Sequence, residues 1–98
     1  MTWSVYILQC AGDRLYTGIS TDVARRFKQH TQKSGAKFTQ AHPPIAILGA
    51  IECASRSEAL KFEYQIKQLA PMAKRALALS WPPTHLAESE ADNQHMHE

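Results

Sequence analysis

The sequence predicts an α+β domain, a small three-stranded and mainly antiparallel sheet flanked by helices in the order β-β-α-β-α-α. Two runs rich in β-branched and aromatic residues, "WSVYILQC" and "LYTGI", are separated by the turn-forming "AGDR", as in a hairpin. A third apolar run, "IAILGAIEC", stands alone, and the segments around it repeat apolar residues at helical spacing. At 98 residues such a mixture makes one compact unit with a modest core.

Each element has its own signal. After the hairpin, Ser20, Thr21 and Asp22 offer helix caps, and Val23, Ala24, Phe27 and His30 gather on one side of a helix running to about Gln32. "KSGAKFTQAHPP" breaks that pattern with Gly35 and the Pro43, Pro44 pair and reads as a basic loop. The third strand is apolar on nearly both faces, which predicts a buried central place in the sheet. Ser55 and Glu58 have capping-box spacing at the start of a second helix, whose apolar stripe is Ala59, Phe62, Ile66, Leu69 and Ala70. Pro71 suits the first turn of a third helix, "PMAKRALAL", which should stop before Trp81, Pro82 and Pro83. Residues 1–83 form the domain, while 84–98 hold too few large apolar groups to pack and read as a disordered acidic tail.

Composition narrows the function classes. The start "MTWSVYILQC" lacks the pattern of a signal peptide and no run is long enough to span a membrane, so the expected location is cytoplasmic. Cys10 and Cys53 sit in apolar strand runs and are expected to be reduced, buried thiols. Residues 1–83 carry all 11 basic side chains against five of the nine acidic ones, a surplus that favours a polyanionic partner. The tail's "HMHE" is read as incidental rather than as a metal site, and the tail's acids could screen the basic face.

Several polar residues stand where the pattern asks for apolar ones. On a helical wheel Glu63 borders the arc of Ile66 and Ala70, so it needs a cation, donors or a metal; an i, i+4 pair with Lys67 is the plainer account. Arg26 lies at the edge of the apolar arc and shares a side with His30, whereas Arg25 points away. Taken singly, His30 could be a satisfied core histidine and Arg26 a solvated side chain. Tyr6 and Tyr16 lie on the two hairpin strands. A two-residue Gly12, Asp13 turn would put them on opposite faces, and a three-residue loop centred on Asp13 would put them on the same face.

Taken together, these residues resemble the GIY-YIG endonuclease superfamily in its small stand-alone bacterial branch, over Trp3 to about Leu79. Gly-Ile-Tyr appears as Ser4, Val5, Tyr6, and Tyr-Ile-Gly as Tyr16, Thr17, Gly18. The family's arginine-bearing helix appears as "DVARRFKQH", with the arginine at Arg26 and the histidine at His30, and its glutamate at Glu63 in "FEYQIK". "GAKFT", Gly35 to Thr39, resembles the loop of the stand-alone branch, with Gln40 at a position often basic there. The departures at Ser4, Val5 and Thr17 fall where side chains are not the chemical ones.

The resemblance implies a metal-dependent endonuclease that hydrolyses DNA phosphodiester bonds with low sequence specificity, in DNA repair or recombination. Its catalytic set would be Tyr6, Tyr16, Arg26, His30 and Glu63, with Glu63 holding one divalent ion, magnesium or manganese, through oxygen. Arg26 would neutralise the phosphate. Tyr6, assisted by Tyr16, would orient or deprotonate the attacking water, with Arg26 and the metal supplying the positive charge that a phenol of pKa about 10 needs to act as a base. His30 is a second candidate for proton transfer or phosphate contact. Lys33, Lys37 and Thr39 would contact nucleic acid, and no obligate protein partner is implied. The alternative is a non-catalytic nucleic-acid-binding module on the same fold. Catalysis further requires Tyr6, Tyr16, Arg26 and Glu63 to converge on one solvent-open cleft.

Overall fold

The computed structural model describes residues 2–32 and 36–82. Strands β1 (Trp3–Cys10) and β2 (Arg14–Ser20) form the hairpin; then follow helices α1 (Val23–Thr31) and α2 (Lys37–Ala41), strand β3 (Pro44–Cys53), and helices α3 (Arg56–Lys67) and α4 (Pro71–Ser80). The sheet is antiparallel throughout, in the order β2-β1-β3. Local chemistry sets the helix starts. The Asp22 carboxylate accepts the Arg25 N–H at the head of α1. At the head of α3, Ser55 Oγ accepts the Glu58 N–H while the Glu58 carboxylate accepts the Ala54 N–H. Pro71 opens α4.

Strand alternation divides the interior in two. Val5 and Ile7 point to one face and pack with Ala59 and Ile66 of α3 and Ala78 of α4. Tyr6, Leu8 and Cys10 point to the other and pack with Val23 of α1 and Ala50, with Phe27 of α1 and Phe38 of α2 at the margin. The sheet is therefore covered on both sides. At Gly49 the backbone of α4 comes so close that a Cβ would lie 2.7 Å from the Ala78 carbonyl oxygen. Arg75 of α4 hydrogen-bonds Gln9 and pairs with Asp13 at 3.0 Å, fastening that helix to the hairpin loop.

Four elements differ from the sequence expectation. The central strand is β1, and β3 lies at an edge. Its apolarity reflects cover on both faces rather than two neighbouring strands, and two register shifts against β1 let Leu48 join one cluster and Ile47 the other. The basic loop contains the short helix α2, which fits between Gly35 and Pro43. The apolar stripe of α3 stops at Ile66: the helix ends at Lys67, Leu69 is 39% exposed, and Ala70 is an exposed residue capping α4. Ala24 likewise faces outward from α1.

Both thiols are free, Cys10 buried and Cys53 half-buried. No helix among the described residues is long and apolar enough to cross a membrane. The acidic tail, with its "HMHE", lies outside the described residues, as does Lys33.

Candidate active site

The hairpin register decides whether the tyrosines can cooperate. Cys10 pairs with Arg14, leaving the three-residue loop Ala11, Gly12, Asp13, centred on Gly12 rather than on Asp13. Gly12 and Asp13 take φ of 74° and 58°, a region open to glycine and tolerated by aspartate, so the turn falls where those two stand. A three-residue loop keeps the parity that matters. Tyr6 pairs with Gly18 and Leu8 with Tyr16, so both tyrosines project from the face covered by α1 and α2, their rings 6.3 Å apart.

Gly18 makes room for the first of them. A Cβ there would lie 2.6 Å from Tyr6 Oη and 2.8 Å from Cζ, and 3.1 Å from the Tyr16 ring. The phenol of Tyr6 thus lies flat across the neighbouring strand, which only a glycine permits. The same alternation turns Val5 and Thr17 to the opposite face, where they cannot touch this chemistry; Val5 is fully buried in the α3/α4 cluster, and the buried Thr17 hydroxyl has no hydrogen-bond partner.

Helix α1 brings the arginine and the histidine. His30, in its last turn, is fully buried, with Nε2 3.0 Å from Tyr6 Oη and Nδ1 2.7 Å from Thr39 Oγ1. The Tyr16 ring lies 5.0 Å from the imidazole. Arg26, one turn earlier, is half-buried, donates to Gln29 Oε1 at 3.0 Å, and also reaches the Tyr6 hydroxyl. Arg25 is exposed, as the wheel requires.

Burial governs the proton affinities. Removal from water, with the Arg26 charge adding to it, lowers the His30 pKa to about 4, so the ring is neutral at physiological pH. Burial raises the Tyr6 phenol well above its ordinary value, Tyr16 and Glu63 push the same way, and Arg26 opposes them without prevailing. Arg26 therefore acts on Tyr6 in the expected direction, toward the phenolate, but its charge alone does not offset burial. Tyr6 is also only 1% exposed, so the expected convergence on a solvent-open cleft holds only as a shared location of Tyr6, Tyr16 and Arg26; the phenol is not open, and Glu63 comes from the opposite layer.

Glu63 stands at the margin. It projects from α3, in the other helical layer, with its charge felt at Tyr6 and its side chain 17% exposed. Its carboxylate pairs with Lys67 at 3.3 Å, the plainer account the sequence allowed. Among the described residues no three His, Cys, Asp or Glu side chains cluster as metal ligands. A single carboxylate does fit a magnesium-type ion, which keeps several waters and takes further oxygens from a substrate phosphate.

The loop residues divide. Lys37 is exposed at the start of α2, free to meet a polyanion. Thr39, expected at the nucleic-acid surface, is instead fully buried against His30, because α2 turns it inward. The sequence reading missed Phe38, which packs against Tyr16 and His42 at 5.9 and 5.0 Å, and Gln29, which steadies Arg26. The i, i+3 spacing of Arg26 and Gln29 was the available signal.

A small α+β domain that gathers two tyrosines of one hairpin, a helix-borne arginine and a buried histidine has the makings of a phosphate-processing site. The family model described as the GIY-YIG catalytic domain matches residues 2–75, and the chain belongs to that family, a family of nucleases. Within it, the chain is similar to a UPF0213 protein of Cupriavidus necator, 48% identical over 85 residues, covering 87% of this chain and 92% of the relative. A UPF0213 protein of Desulfotalea psychrophila is 49% identical over 76 residues, covering 76% of this chain and 69% of that one. The solution NMR structure of a UPF0213 protein from Bacillus halodurans shares 39% identity and a TM-score of 0.50, covering 79% of this chain and 82% of that one. These names state no activity.

Proposed function

We propose that the protein is a metal-dependent endonuclease that hydrolyses DNA phosphodiester bonds with low sequence specificity, acting in the cytoplasm in DNA repair or recombination. The observation that carries this reading is the Tyr6 to His30 hydrogen bond of 3.0 Å with Arg26 beside it, a proton acceptor and a phosphate-neutralising cation around one phenol. A purely structural tyrosine needs only one partner for its hydroxyl.

In this account Arg26 binds the scissile phosphate and offsets the negative charge that grows in the transition state. Tyr6 takes a proton from the attacking water as it gives its own to His30, so no free phenolate has to form in a buried site. Tyr16 supports the His30 ring from one side. Glu63 would hold one magnesium or manganese ion, which supplies charge stabilisation at the phosphate and leaving oxygen. Lys67, paired to one of the two Glu63 carboxylate oxygens, competes with that ion by charge. Lys33 and Lys37 contribute non-specific backbone contacts with the salt dependence these bring. The domain, residues 1–83, carries the whole site, and 84–98 is an accessory tail.

The test is cleavage of labelled duplex, branched and single-stranded DNA with magnesium or manganese, by the natural protein and by Glu63→Ala. The reading expects metal-dependent cutting by the natural protein alone, with binding kept in both. The burial of Tyr6 and the Lys67 partner of Glu63 favour a second reading, a binding module without catalysis. Binding of all three substrates with no cutting under either metal would establish it.

A further inference from the structure

The segment expected to meet nucleic acid sends one side chain into the interior. Thr39 is fully buried, and its hydroxyl lies 2.7 Å from His30 Nδ1 and 2.9 Å from the Ala36 carbonyl oxygen. Three short gaps therefore run in series, from the Ala36 carbonyl through Thr39 and His30 to Tyr6 Oη. The imidazole is neutral, so the three side chains hold three protons between them, one on each.

Only one arrangement fills every gap. A carbonyl oxygen accepts and never donates, so the Thr39 proton must point to Ala36. The Thr39 oxygen then accepts from His30, which puts the ring's proton on Nδ1. Nε2 is left bare, and Tyr6 must donate to it. If Thr39 turned its proton toward His30 instead, the two oxygens of Thr39 and Ala36 would face each other at 2.9 Å with no proton between them. The ring would then carry its proton on Nε2, and Tyr6 would be reduced to an acceptor.

We propose that Thr39 is a positioning residue that holds His30 in its Nδ1–H tautomer and thereby fixes the Tyr6 hydroxyl as a donor to Nε2. Neutral histidine in water favours the opposite tautomer, so the buried threonine imposes what the free ring would not choose. The catalytic consequence rests on the hydrolytic reading above. With Tyr6 set as a donor, its oxygen keeps one lone pair beside the one that Arg26 reaches, for a water admitted to this buried site with the substrate. The water proton moves to Tyr6 Oη as the Tyr6 proton moves to Nε2, the water oxygen bonds to phosphorus, and the bond from phosphorus to the leaving sugar oxygen breaks. That oxygen takes a proton from solvent, and His30, now protonated on both nitrogens, returns its Nε2 proton to Tyr6 Oη, which releases one proton through the departing product's water. A bare Nε2 is required for the second transfer. The wrong tautomer would stop it, as general acid–base contributions of roughly 10²- to 10⁴-fold allow.

The experiment is nitrogen-15 NMR of the His30 ring at neutral pH in the natural protein, Thr39→Ser and Thr39→Val, paired with single-turnover cleavage of labelled DNA. The natural protein and Thr39→Ser should show the Nδ1–H pattern, with Nε2 shifted far downfield as a bare nitrogen. Thr39→Val should move the proton to Nε2. It should also lower the cleavage rate by about 10²-fold with substrate binding within about twofold, and Thr39→Ser should restore the rate. An Nε2–H ring in the natural protein, or an unchanged ring in Thr39→Val, overturns the assignment. Full cleavage by a Thr39→Val protein whose tautomer has switched overturns its catalytic half. If Thr39→Val does not fold, the Thr39→Ser spectrum still decides, because loss of the Nδ1–H pattern there contradicts the role of the hydroxyl. The ring pattern is read without substrate, so a natural protein that shows it yet cuts nothing would defeat the hydrolytic reading and leave the Thr39 assignment standing.

Discussion

Acid should loosen this protein through His30 in particular. The ring is fully buried, bonded to Tyr6 and Thr39 and flanked by Arg26 and Tyr16, and its pKa is lowered to about 4. In the unfolded chain it returns to about 6.5. As pH falls through 6.5 the unfolded state takes up a proton that the native state refuses, so stability is complete above that value and drains away below it. The slope is roughly 1.4 kcal/mol per pH unit until the native ring also protonates near pH 4, giving a total loss of about 3 kcal/mol. Urea unfolding at about pH 7 and about pH 4.5 measures it, with His30→Gln as the reference, because glutamine keeps hydrogen-bonding groups at the site but does not titrate there. Carboxylate effects are common to both proteins and cancel. The natural protein should lose about 2 to 3 kcal/mol more than the variant between the two conditions. Equal losses, or an NMR titration midpoint for His30 near 6.5, would refute the reasoning.

Three further outcomes follow from packing and charge. Gly18→Ala should destabilise by about 1 to 3 kcal/mol in denaturant melts and break the Tyr6 to His30 bond, because its Cβ would stand 2.6 Å from a phenol oxygen that has nowhere else to go. Thr17→Val should be neutral or stabilising by up to about 1 kcal/mol, since it removes a buried hydroxyl that has no partner while keeping its shape. Lys67→Gln should lower the magnesium concentration giving half-maximal cleavage by about twofold, the size expected for removing one partly exposed i, i+4 competitor for Glu63.

Local signals in the sequence placed most elements well. The Ser55 and Glu58 box, the Asp22 cap and Pro71 begin their helices where their chemistry dictates. Non-local arrangements were less legible. β3 looked central because helices cover both its faces, and an apolar pattern records cover without saying what supplies it. The tyrosines' common face turned on loop parity, which two neighbouring turn formers, Gly12 and Asp13, leave undecided until pairing is known. Arg26, His30 and Glu63 stood out on the wheel because each is polar at an apolar margin. Thr39 did not, since a threonine in a basic loop gives no hint that one turn of helix will bury it against His30. The phenol's high proton affinity was equally hidden, because it arises from the depth at which the hairpin seats Tyr6.

The central claim is that one phenol, joined to His30 and flanked by Arg26, serves hydrolysis of a phosphodiester. Single-turnover cleavage of labelled branched and duplex DNA with magnesium, by the natural protein and by Tyr6→Phe, tests it most directly. Phenylalanine fills the same space over Gly18 but has no proton to relay, so cutting should fall by at least about 10²-fold with DNA binding close to that of the natural protein, while the loss of the His30 Nε2 partner costs about 1 to 3 kcal/mol of stability without unfolding the domain. Cleavage by Tyr6→Phe within a few-fold of the natural rate would contradict the account.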